Sequence, residues 1–249
     1  MKLLILVIAS RCNLYDQLIV NYWYPLMEYV KNNYQHNIQI YLVYGNITEL
    51  PSIICNNNHV LRYSDIEETT APGIYLKTIR AIHQLSEVFD YDFLFRTNLS
   101  SFIIISELVK TAQYLSQQHK KIYAGIIGYA SHNKKYSFIS GSGCLMSKNV
   151  TNKLIKKHKK LSNYGIDLLS KFQDDVIIGL LLNNVPRITT KRLDIHNNSD
   201  YLDQNRLKSM SDQICDEKHY HIRIKNEENR NVDIQIMSYL TNIWYKLNQ

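Results

Sequence analysis

Two early apolar runs, Leu3 to Ala9 and Ile38 to Val43, are short and rich in branched residues. Such runs predict strands buried on both faces, as in a parallel sheet. Between them, Tyr15 to Lys31 repeats apolar residues at helical spacing: Leu18, Ile19, Tyr22, Trp23, Leu26, Met27 and Val30. The three segments form a strand, helix, strand unit. The second strand ends at Tyr44-Gly45-Asn46, a loop at the carboxyl edge of the sheet, where open α/β sheets place their ligands.

A third strand is expected at His59 to Tyr63 and a long helix at Gly73 to Glu87. The aromatic strand Tyr91 to Phe95 then runs into the polar segment Arg96-Thr97-Asn98-Leu99-Ser100-Ser101, and a helix follows from Ser106 to Gln118. Strands at Ile122 to Tyr129 and Tyr136 to Ile139 flank a turn at His132-Asn133-Lys134. Ser140-Gly141-Ser142-Gly143 comes next, then Cys144 to Ser147 and a helix from Asn149. A further helix starts near Asp174 and covers Val176 to Leu182. The tail alternates as a strand would from His219 to Lys225, and an amphipathic helix covers Ile234 to Leu247.

No repeat or linker interrupts this order, so one domain over residues 1–249 is expected. Its class is α/β, with a mixed, mainly parallel sheet and helices on both faces. A fully antiparallel barrel is excluded by the alternation of strand and helix over the first hundred residues.

Composition changes this picture little: 45% hydrophobic and 20% charged residues are ordinary for a globular chain. The net charge of +7 favours an anionic partner, whether nucleic acid, an acidic lipid surface or a phosphate-bearing small molecule. The basic run from Lys153 to Lys160 carries Leu154 and Ile155 beside Leu161, which suits a solvated helix with one buried face. No zinc finger or RNP-like stretch accompanies it to mark a nucleic-acid surface. Cys12, Cys55, Cys144 and Cys215 lack metal-ligand spacing and read as free thiols of a reducing compartment. The opening run is too short, and too poor in flanking signals, for a leader peptide. No stretch approaches the roughly 20 apolar residues of a membrane span. A cytoplasmic protein is the resulting expectation.

Three groups of residues carry candidate chemistry. Asp174 and Asp175 stand at a helix start, where a carboxylate can be held rigidly to accept a proton. The same residues would serve equally to cap the helix and answer its dipole. Gly141 and Gly143 flank Ser142, and glycine permits close backbone approach to a ligand, although such a triplet is also a common turn. In the tail, alternation sets His219, His221, Arg223 and Lys225 to one side of a strand, with Arg230 beyond, as a phosphate rim or as the charged protection of an exposed edge.

Four segments in order resemble the β-1,3-galactosyltransferase and Fringe superfamily of glycosyltransferases. Arg11 and Asn21-Tyr22-Trp23 are similar to its Arg…Thr-Trp opening. Tyr75-Leu76-Lys77-Thr78, preceded by Asp65, matches its Asn-Leu-Thr-Leu-Lys-Thr helix. Phe138 to Ser147 follows its Tyr-x-Ser-Gly-x-Gly-Tyr-x-x-Ser pattern, and Asp174-Asp175-Val176-Ile177-Ile178-Gly179 follows Glu-Asp-Val-x-x-Gly.

The resemblance implies a glycosyltransferase A type of fold, with a nucleotide-sugar half over about residues 1–110 and an acceptor half over about 111–249. It implies transfer with inversion from a nucleotide-sugar donor, UDP-linked, to a glycan hydroxyl, with Asp175 as base and Asp174 beside it. Ala9, Ser10, Arg11, Lys77, Arg96, Thr97, Asn98, Ser100, Arg223 and Lys225 would then meet the donor; Arg80, on the helix of Lys77, would line the same site or a solvated face. Ser140, Gly141, Ser142 and Gly143 would meet the sugars.

The family's Asp-x-Asp metal motif is replaced here by Asn98-Leu99-Ser100, whose neutral oxygens are poor sole ligands for a hard divalent ion. No metal or other cofactor is therefore expected to be required, with Mn²⁺ or Mg²⁺ as the alternative that the missing motif does not support, and Arg223 and Lys225 would neutralise the leaving diphosphate. An inactive sugar or nucleotide-sugar binding protein on the same scaffold is the alternative. Nucleic-acid binding driven by charge is a third reading, which predicts steep salt dependence.

Overall fold

A computed structural model describes residues 1–34, 37–47, 49, 59–130, 136–161, 169–195, 203–226 and 229–246. The expected turn at His132-Asn133-Lys134 and Cys55 lie outside these residues. The chain opens with β1 (Leu3–Ile8), α1 (Asn13–Leu18), a π-helical turn (Ile19–Trp23), α2 (Tyr24–Tyr34) and β2 (Ile38–Tyr44). The expected first helix is therefore present but divided. Pro25 has no N–H to return to residue 21, so the ladder is interrupted where the π-turn meets α2.

Next come β3 (Val60–Arg62), α3 (Gly73–Val88), β4 (Phe93–Asn98), β5 (Ser101–Ile103) and α4 (Ile105–Gln118). The second half holds β6 (Tyr123–Tyr129), β7 (Ser137–Ser147), α5 (Lys148–His158), α6 (Asp174–Leu181), β8 (Ile188–Thr189), β9 (Leu193–Ile195), α7 (Gln204–Glu217), β10 (His221–Ile224) and α8 (Asn231–Thr241), closed by a π-turn (Asn242–Lys246).

Among the described residues, seven strands form the main sheet in the order β3-β2-β1-β4-β7-β6-β8. β7 runs antiparallel to both neighbours, and the other pairs are parallel. The mixed, mainly parallel α/β architecture expected from the pattern is thus present. Alternation along β1 explains its depth: Leu3, Ile5 and Val7 enter one core cluster, and Leu4, Leu6 and Ile8 enter the other. α2, α4 and α8 cover the first face, while α3, α5 and α6 cover the second. α5 buries Val150, Thr151 and Leu154 and leaves Lys156 and Lys157 exposed, as are Lys159 and Lys160 in the turn after it, the solvated face expected of the basic run.

Three departures from the sequence pattern shape the site. β4 continues beyond Phe95 through Arg96, Thr97 and Asn98, because all three pair with β1 and the first two also pair with β7. Ser140 to Gly143 is not a turn between strand and helix; it lies within the long β7. There the ladder with β6 jumps from Gly125 opposite Cys144 to Ile127 opposite Ile139, so four residues of β7 face a single residue of β6. That bulge pushes Ser140 to Gly143 out of the ladder, and Gly125 beside it holds φ of 153°, a backbone suited to glycine.

The third departure concerns the tail. β10 is the centre of a second sheet, in the order β5-β10-β9, and so is not an exposed edge. No helix among the described residues is long and apolar enough to cross a membrane.

Candidate active site

Strand register gathers the candidate residues. Parallel pairing of Ile8 with Val43 and with Asn98 brings the carboxyl ends of β1, β2 and β4 to one edge. Antiparallel pairing of Thr97 with Gly143 brings the bulge of β7 to the same edge. The Thr97 and Ser101 hydroxyls both donate to the Ser142 carbonyl, at 2.6 and 3.1 Å.

The acidic pair meets this bulge from the start of α6. Arg96, buried on β4, donates through Nη1 to the Gly141 carbonyl and holds Asp174 Oδ2 2.5 Å from Nη2. The half-buried Asp175 accepts the Gly141 N–H at Oδ2, 3.1 Å away, and its own helix's Val176 N–H at Oδ1, 2.9 Å away. Burial first, and Asp174 second, raise the Asp175 pKa above the ordinary carboxylate value, against the pull of Gly141 N–H and Arg96. Asp174 is thus an anchor and Asp175 a carboxylate of heightened basicity, while Gln173, the residue preceding the helix, makes no side-chain cap.

The geometry gives the two glycines a packing reason. A Cβ on Gly141 would lie 2.1 Å from Arg96 Nη1, and one on Gly143 would lie 2.2 Å from the His221 ring. Ser140 and Ser142 share a hydrogen bond of 3.1 Å between hydroxyls.

The expected donor residues divide into two sets. Ala9, just past β1, is buried, and its carbonyl accepts from Lys77 Nζ at 2.6 Å. Lys77 is itself buried and paired with Glu68 Oε2 at 2.6 Å, and Glu68 Oε1 accepts the Gly45 N–H. Burial lowers the Lys77 pKa, partly offset by Glu68. Lys77 therefore clips the ends of β1 and β2 together. Ser10 is half-buried beside them, and Arg11 is exposed, donating to the Glu49 carbonyl at 2.7 Å. Arg80 is exposed and paired with Asp65 at 2.5 Å. Trp23 and Tyr22, from the opening motif, are core residues: Trp23 Nε1 donates to the Leu99 carbonyl and the Ile103 N–H donates to the Tyr22 hydroxyl.

The second set surrounds Asn98 and Ser100. Asn98 Oδ1 accepts from the Ser100 N–H at 3.1 Å, an Asx-type turn, and lies 3.2 Å from Ser101 Oγ. Ser100 Oγ accepts from Arg230 Nη2 at 2.9 Å. In the resembled family this segment holds a divalent ion, and the residues here do not fit one. They offer no carboxylate, the Asn98 oxygen already accepts the Ser100 N–H, and a guanidinium faces the serine. Among the described residues no group of three His, Cys, Asp or Glu side chains is placed to hold a metal.

β10 places His221 in the core, with its Nε2 3.1 Å from Ser101 Oγ, and sets Arg223 half-buried opposite Ser101. His219 is buried and paired with Glu217 at 2.6 Å, and Lys225 is half-buried just past the strand.

Arg192 is the member that the sequence pattern missed. Its Nη1 donates to Ser142 Oγ at 2.7 Å and lies 3.3 Å from Ser140 Oγ, while Nη2 donates to Asp194 at 2.9 Å. The only local signal was a basic pair ahead of the short alternation Leu193-Asp194-Ile195.

The sequence matches no known protein-family profile, and no curated protein aligns with it. Solved structures do resemble it. A glycosyltransferase involved in the glycosylation of the major capsid of PBCV-1 superposes with a TM-score of 0.50 at 10% identity, over 95% of this chain and 98% of that one. The galactosyltransferase LgtC, solved with donor and acceptor sugar analogues, superposes with a TM-score of 0.50 at 10% identity, over 95% of each chain. At such identity the likeness establishes the fold, which is that of the glycosyltransferase A type.

Proposed function

We propose that the chain is a glycosyltransferase that moves a sugar from a nucleotide-sugar donor to a glycan hydroxyl in one inverting displacement. Asp175 is the base. It accepts the proton of the acceptor hydroxyl as that oxygen bonds to the anomeric carbon, while the bond from that carbon to the β-phosphate oxygen breaks and its electron pair leaves with the nucleoside diphosphate. The observation that carries this reading is the Asp175 carboxylate itself. It is held by two backbone N–H groups at the carboxyl edge of the sheet, with its basicity raised by burial. The shared fold of two solved glycosyltransferases supports it.

In this reading residues 1–110 supply the nucleotide side, around Ala9, Ser10, Arg11, Thr97, Asn98 and Ser100. Residues 111–249 supply Asp175, with Arg223 and Lys225 toward the donor's diphosphate, and the acceptor side around Ser140 to Gly143, and the chain works as one unit. Asp174 and Arg96 orient the base, and Lys77 shapes the nucleotide end through Ala9 and Gly45. The donor's nucleotide is proposed to be uridine on the resemblance alone.

The test is incubation with a panel of nucleotide sugars and candidate glycan acceptors, following free nucleotide. Release with at least one donor, increased by an acceptor and yielding an inverted anomeric linkage by NMR, is the expected result. No release with any donor would reject the reading.

A further inference from the structure

Three arginines converge on the serines of the site. The register of β10 sets Arg223 between Ser101 of β5 and Asp194 of β9. Arg192, two residues before Asp194, reaches Ser142 and Ser140; Arg230, at the start of α8, reaches Ser100. The Arg230 position is set from the core. Its Nε donates to Asp233 Oδ2 at 2.5 Å, and Asp233, fully buried, takes the Asn226 N–H and Nδ2 on its other oxygen at 3.0 and 2.6 Å.

The cluster is not fully satisfied from within. The Nε groups of Arg192 and Arg223 are buried with no hydrogen-bond acceptor among the described residues, and the Arg192 side chain is 10% exposed. Burial, and then Arg192, lower the Arg223 pKa, against the pull of Asp194 and Asp175, so the guanidiniums repel one another and are only partly answered by nearby carboxylates. Gathering like charges in a partly desolvated place costs free energy unless an anion joins them. Guanidinium forks match phosphate oxygens bidentately; Asp194 takes Nη2 of Arg192 and Asp233 takes Nε of Arg230, so two carboxylates stand against three guanidiniums and each fork keeps further N–H groups.

We propose that Arg192, Arg223 and Arg230 form a metal-free cradle for the diphosphate of a nucleoside diphosphate, with Ser100 and Ser142 on its rim. The cradle stands beside the segment whose side chains do not fit a divalent ion, and it supplies the positive charge that such an ion would have brought to the leaving group. Asp233 is a positioning residue that aims Arg230. The identity of the leaving group rests on the proposed glycosyl transfer; the binding of diphosphate does not.

The experiment is isothermal titration of the full chain with inorganic pyrophosphate and, separately, with UDP, first in EDTA and then with Mn²⁺. Both probes are expected to bind in EDTA, with affinity changed less than about threefold by Mn²⁺. Arg192→Gln and Arg223→Gln are each expected to weaken binding about tenfold or more, and Arg223→Lys to fall between, because it keeps the charge and loses the fork. Near-UV circular dichroism identifies a variant that has not folded, and the Lys variant then carries the comparison. Binding that requires Mn²⁺ or Mg²⁺, no binding of either probe, or folded Gln variants that bind as the parent does would each overturn the cradle. Nucleotide release that depends on Mn²⁺ would sink the cradle and leave glycosyl transfer standing. Pyrophosphate binding in EDTA without turnover of any donor would do the reverse.

Discussion

The backbone N–H of Gly141 donates to Oδ2 of Asp175 across 3.1 Å, joining the bulge of β7 to the first turn of α6. The bond fixes the carboxylate against the strand while burial keeps it basic. Asp175→Asn keeps an oxygen for Gly141 and removes the base. Nucleotide release is expected to fall about 100-fold or more with donor affinity retained, measured by steady-state kinetics and titration calorimetry.

The raised Asp175 pKa gives two pH signatures. The base works ionised, so release climbs as pH rises through its pKa, and that acid limb lies above the ordinary aspartate range. Protonation of Asp175 favours the fold, so its contribution to stability is present at low pH and fades as pH rises through the raised pKa. Asp175→Asn is therefore expected to melt no lower than the parent at neutral pH, as differential scanning fluorimetry would show.

Gly143 and His221 are packed as one unit, with the ring also standing edge-on to Phe95 at 5.7 Å. Gly143→Ala drives a methyl into a buried imidazole, and a loss of about 1–3 kcal/mol in urea denaturation is expected. His221 is held neutral by burial, with its pKa well below the ordinary value. Its contribution to stability is present above about pH 6.5 and is lost as pH falls, because the unfolded chain then binds a proton that the fold resists.

Arg96 anchors Asp174 and the Gly141 carbonyl from a site that is 4% exposed. Arg96→Met leaves a buried carboxylate without its cation, and a cost of about 3 kcal/mol is expected by denaturant unfolding. The double variant Arg96→Met with Asp174→Asn is expected to recover part of that loss, since the uncompensated charge is then gone.

Lys77→Met tests whether that lysine clips strand ends or meets the donor. With its ammonium engaged by the Ala9 carbonyl and Glu68, a stability loss of about 2 kcal/mol is expected. A change confined to the Michaelis constant, with stability intact, would instead mark a donor contact.

Much of this was legible in the chain. The apolar runs of β1 and β2 can be buried on both faces only in a covered sheet, and the order of segments around Gly141 and Asp175 placed both near one edge. The bulge was not legible. Whether Ser140 to Gly143 turns or bulges is decided by β4 and β6, which pair with β7 across long stretches of sequence. For the same reason the alternation from His219 to Lys225 showed a strand without revealing that β10 lies between β5 and β9.

Arg192 carried no periodic signal and acquires its place only through that second sheet. α7 was signalled, by Leu207, Met210 and Ile214 at helical spacing behind the cap of Asp203, which accepts the Arg206 N–H at 2.8 Å; its polarity masked it.

A crystal structure of the protein soaked with a nucleotide sugar tests the central claim most directly. Diphosphate oxygens are expected within hydrogen-bond reach of Arg223 and Ser100, with an anomeric carbon facing Asp175. A donor seated elsewhere, such as the groove between α3 and α5 lined by His83, Glu87 and Lys156, with Asp175 facing no sugar, would contradict it.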